Sequence, residues 1–144
     1  MIEPDTIKLL RECDAGTKMG VTSIDEVMDY VHDDTLRRRL SDCKMKHDML
    51  NEEIQTLLSQ YHDEGKEPGA IAKSMSWIKT NAKLVMNESD ETIADLMTDG
   101  CNMGVKTLNR YLNQYKAADE ESKDITKRLI HIEEALADDV RQYL

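Results

Sequence analysis

Phenylalanine is missing from this chain altogether, and one Trp, five Tyr and two Pro are all it has of the ring-bearing residues apart from four His. Aromatic side chains suit a pleated, half-buried surface, so their scarcity weighs against a sheet. Pro lies only at positions 4 and 68, which leaves long stretches without the strongest helix breaker. No stretch approaches the roughly 18 consecutive apolar residues of a membrane span, and no basic start followed by an apolar run marks a leader. A cytoplasmic protein with no membrane partner is expected. Cysteine is sparse: Cys13, Cys43 and Cys101 form no short pair, which argues against a disulfide framework and a finger-type zinc site. Reduced, partly buried thiols are expected instead. Basic charge is also short, 19 residues against 29 acids for a net charge of -10, so a phosphate backbone would be repelled and nucleic acid is excluded as a partner. The basic run 37–39 follows Asp33 and Asp34 and reads as a solvated helix face with local ion pairs.

What is present is apolar material at 40% and charged residues at 33%, in a chain of 144 residues that suits a single domain over 1–144. Ile7, Leu10, Asp14, Thr17, Val21, Ile24, Met28 and Val31 follow at steps of three and four, which predicts a helix over about 4–32. Gly16 and Gly20 each cost it about 1 kcal/mol relative to Ala. A break near Thr22 and Ser23, recapped with Glu26, is the alternative. Leu36, Leu40, Cys43, His47, Leu50, Ile54, Leu57 and Tyr61 make a cleaner seam over about 34–63, capped by the Asp33-Asp34 pair and ended near Gly65 and Pro68.

Ile71, Met75, Ile78, Ala82 and Val85 predict a shorter connecting helix that stops at the polar stretch 87–90. Ser89 or Asp90 then caps a third long helix with Ile93, Met97, Cys101, Gly104, Leu108, Tyr111 and Tyr115 inward. Gly100 and Gly104 would let another helix approach closely. A polar turn around 118–121 leads to the last helix, with Ile125, Leu129, Ile132, Leu136, Val140 and Tyr143 inward. The expected fold is all-α: an antiparallel four-helix bundle of two hairpins joined by a crossover with its own short helix, the ferritin-like arrangement.

Asp33-Asp34-Thr35-Leu36 at the hairpin joint, Glu67-Pro68-Gly69, Ser76-Trp77-Ile78-Lys79 and the Tyr111 region carry a likeness that spans residues 9–144. On these features the chain resembles a bacterial ferritin-like family of unknown function, related to small stress-associated bundle proteins. The resemblance implies the bundle fold. Metal-active members of the wider superfamily carry a carboxylate on each of two helices and Glu-x-x-His on each of the other two. This sequence has Lys44-x-x-His47 and the reversed His131-x-x-Glu134, so a complete di-iron ligand set cannot be assembled.

Asp14, Thr17, Cys43 and His47 are the polar residues on otherwise apolar seams, and a buried carboxylate or imidazole must be bonded, paired or metal-bound. In a hairpin turning near residue 33, Asp14 falls opposite Glu52 and His47 opposite Met19, which leaves the two candidates roughly 7 Å apart along the axis. One reading makes them a satisfied polar layer that fixes helix register. The other makes them a metal or acid–base pair, with Asp99 supplied from the third helix and iron or another divalent transition metal as cofactor. The polar layer is preferred, and with it no cofactor. Cys43 and Cys101 are read as buried thiols. His131 and Glu134 are read as an exposed pair. His47 lacks the small and basic neighbours of a phosphotransfer histidine. Most of the nine methionines are expected to fill the core in place of Phe, and no Cys-x-x-Cys-His motif points to heme. The function expected is a non-catalytic bundle acting as a homo-oligomer, most simply a dimer through apolar positions such as Tyr30 or Met86, or on a protein partner. The alternative is a metal-binding or redox protein using Asp14, His47 and Asp99.

Overall fold

Side chains with hydrogen-bonding oxygens stand at the start of each of the last three long helices, and the backbone uses them. A computed structural model describes residues 3–68 and 87–144, and the connecting helix expected over 71–85, together with Met86, lies outside them. Within the described residues the helices are α1 (Pro4–Met28), α2 (Asp34–Gln60), α3 (Asp90–Gln114) and α4 (Glu120–Val140), followed by a 3-10 turn at Arg141–Tyr143. No strand occurs among them. Asp33, Ser89 and Asp119 accept from the backbone N–H groups of Leu36, Thr92 and Ser122, each satisfying a donor the helix cannot, for about 1 kcal/mol apiece. Pro4 opens α1, where its missing N–H costs nothing.

α1 runs unbroken through Gly16, Gly20 and Ser23, so the break considered near Thr22 does not form. It stops at Met28, short of the expected end, because Tyr30 and Val31 turn back to the carbonyls of Val27 and Met28. α2 ends at Gln60, followed by His62 at φ 57° and Gly65 at φ 87°. The second of these is a left-handed conformation that glycine adopts without strain.

The three-four seams account for most of the core. α2 buries Leu36, Leu40, Cys43, His47, Leu50 and Ile54 as expected, then shifts to Leu58 in place of Leu57. A straight 3.6-residue helix drifts off a 3.5-residue repeat in this way. α4 buries Ile125, Leu129, Leu136 and Val140, and adds Ser122, Thr126 and Ile130 while Ile132 and Tyr143 stay half-buried. The described methionines divide: Met97 is buried, Met28 packs against the core and Met19 is half-buried, but Met45, Met49 and Met103 are more than half exposed. All three cysteines are buried and free.

The apolar core comes in two parts. One gathers Ile24, Val27, Leu36, Leu40, Ile93, Met97, Leu136 and Val140; the other gathers Leu10, Leu50, Ile54, Leu58, Leu108, Ile125 and Leu129. In the sequence of every helix a polar or glycine position falls between the two sets: Gly20, His47, Gly104 and Glu133. Each fully buried aliphatic side chain in either part contributes about 1.5–3 kcal/mol against its exposed state.

Polar contacts give the sense of packing. Arg11, Asp14 and Asp25 on α1 meet Asp63, Asn51 and Lys44, so rising numbers meet falling ones. Asp90 accepts from the backbone of His32 and Asp33, while Asp5 and Thr6 accept from the backbone of Ala117 and Asp119. Tyr143 donates to Asp33 at 2.7 Å. α1 packs on α2 and α3 on α4 most extensively, α2 and α1 both pack on α4, and α1 meets α3 least of these. No described helix is long and apolar enough to cross a membrane.

Candidate functional site

Asp14 is completely buried, and the fold meets the cost of hiding its charge with donors. One carboxylate oxygen accepts from Asn51 Nδ2 at 2.9 Å and from Gln55 Nε2; the other accepts from Lys18 Nζ and from the backbone N–H of Lys66, both at 2.9 Å. Thr17 Oγ1 accepts from Asn51 at 2.7 Å and donates to the Asp14 carbonyl at 2.9 Å. A carboxylate offers about four acceptor positions, and four donors take them. The expected neighbour Glu52 is exposed instead, and the amides of Asn51 and Gln55 face inward, since a second carboxylate there would repel the first. Gly65 sits so close that a Cβ on it would clash with Asp14 Oδ2. Arg11 with Asp63, Glu12 with Lys66, and Lys18 with Glu67 strap the same loop onto α1. Asp63 is held below the usual carboxylate range by the Arg11 hydrogen bond.

His47 lies at the waist between the two parts of the core and is also buried, 1% exposed. Its Nδ1 is 2.8 Å from the Cys43 carbonyl and 3.6 Å from that residue's Sγ, and its Nε2 is 2.7 Å from Glu133 Oε1. Acceptors stand at both nitrogens, so the ring donates twice, as an imidazolium. Burial opposes the charge, but the bonds to Cys43 and Glu133 and the Glu133 charge outweigh it and push the group up to about 10. The ring occupies the space of a side chain at Gly20: a Cβ there would lie 2.5 Å from Nε2 and Cδ2. Burial raises the Cys101 thiol, and the neighbouring Glu133 carboxylate raises it further. Burial also pushes Cys13 up to about 12, against a bond to Thr126 Oγ1 at 3.2 Å that lowers it. These two thiols are therefore protonated and poor nucleophiles.

The structure keeps the sequence candidates apart. The partners of Asp14 are Lys18, Asn51, Gln55 and Lys66, those of His47 are Cys43 and Glu133, and the two sets share no member. Asp99 is exposed on α3. No group of three or more His, Cys, Asp or Glu among the described residues is arranged to hold a metal ion. His131 and Glu134 are both exposed.

Glu133 is the functional candidate that the seam reading misses. It follows Leu129 by four and Ile130 by three, on a stripe beside the chosen seam, and Ser122 and Thr126 on the same side are the polar signal that this stripe is buried.

Beside the waist, a cavity of about 460 Å³ opens between α1 and α3. Ala15, Gly16, Met19 and Gly20 line one wall, and Met97, Gly100, Met103 and Gly104 line the other. His47 and Glu133 also line it, with Lys66 and Pro68 at the end where α2 has passed into its loop. The missing side chains create the volume: among the described residues a Cβ on Gly100 would meet nothing within 4 Å, and one on Gly104 would come to ordinary contact with Glu133. Comparison with family models, curated proteins and solved structures finds no match to this chain.

Proposed function

We propose that this chain is a non-catalytic, ferritin-like four-helix bundle that works by protein–protein contact, with the groove between α1 and α3 as its docking face. The observation that carries the reading is the contrast within the site. The buried groups with chemical potential, Asp14 and His47, spend their hydrogen bonds inside the fold, while the adjoining groove is apolar and open. Adaptable Met side chains and glycines along two helices suit an entering helix read through i, i+3 and i+4 contacts. The ferritin-like topology is supported by two things: α1 and α2 pair rising with falling numbers, and residues 66 and 90 lie at opposite ends of that pair, Lys66 beside Asp14 and Asp90 beside Asp33.

The second reading, a metal-binding or redox protein, draws on the meeting of Cys43, His47 and Glu133 from two helices. A metal at His47 would have to displace the Cys43 carbonyl or Glu133 from a ring nitrogen, and one at Asp14 would have to displace Lys18 or the loop. Under the docking reading, light scattering gives a mass above that of one 16.5 kDa chain, increasing with salt because two chains of charge -10 repel. Gly100→Trp, which fills the groove, returns the mass to that of a single chain. A wild type that is monomeric at all salt concentrations, or an assembly untouched by the variant, removes self-association through the groove from the account. At least one tightly bound ferrous, manganous or zinc ion per chain, lost in His47→Gln, favours the second reading.

A further inference from the structure

We draw no further inference here: the strongest candidate, the apolar groove between α1 and α3 over the His47–Glu133 pair, belongs to the site already described, and nothing among the described residues shows what covers it.

Discussion

The two buried polar regions solve one problem in different ways. Around Asp14 a single charge is dispersed over four donors drawn from α1, α2 and the loop that follows, three of them besides its counter-ion Lys18. Around His47 the charge is matched one to one, with Glu133 on α4 as its counter-ion, and the pair faces an open groove. A dispersed charge tolerates loss of a donor, whereas a matched pair does not, because removing either member strands the other in a low-dielectric site.

The largest expected effect tests that contrast directly. Glu133→Ala leaves the His47 imidazolium without its counter-ion and is expected to cost about 3–5 kcal/mol in urea denaturation, whereas Gln55→Ala beside Asp14 removes one donor of four and costs about 1 kcal/mol. Equal losses would erase the distinction between the regions.

The pH dependence comes next. The His47 group sits at about 10 in the fold against 6.5 unfolded. Its contribution is therefore complete below pH 6.5 and declines as pH rises, disappearing as pH passes 10. Denaturation midpoints from pH 6 to 10.5 should fall more steeply for the wild type than for His47→Gln; parallel curves would mean the ring is not charged.

Smaller again is Gly20→Ala, which must push the His47 ring aside and is expected to cost about 1–3 kcal/mol as an overpacked site. Combined with His47→Ala the penalty should vanish, and a double-mutant cycle that came out additive would refute the contact. At the low end, Gly100→Ala on the wall of the groove should stabilise α3 by about 0.5–1 kcal/mol, measured by thermal melting, since no described residue stands in the way.

These positions also mark what could be read from sequence. The four long helices were legible because Leu36, Leu40, Leu50, Ile54, Leu129 and Leu136 repeat at helical spacing and Asp33, Ser89 and Asp119 punctuate them. Asp14 and His47 were legible as polar interruptions of apolar seams. Their partners were not, because which of Asn51, Glu52 or Gln55 faces Asp14 depends on a rotation of α2 that periodicity leaves undetermined within one residue. Glu133 was hidden for the same reason on α4. Gly20 showed only as a weakness in α1, since a glycine's use lies in the neighbour that takes its space, and that neighbour is 27 residues away in sequence. Which methionines face out, as Met45, Met49 and Met103 do, was not legible, because a flexible thioether satisfies a core and a surface alike.

The contacts that close the two ends of the molecule bear on how it forms. Tyr143 with Asp33 and Asp119 with Thr6 join partners 110 and 113 positions apart, far beyond the separations within either hairpin. Such closures gain nothing until both hairpins exist, so the search for them sets the pace of assembly while the local turns are quick. The buried Cys13–Thr126 contact spans 113 positions as well, so the ends lock together with the contacts between the hairpins.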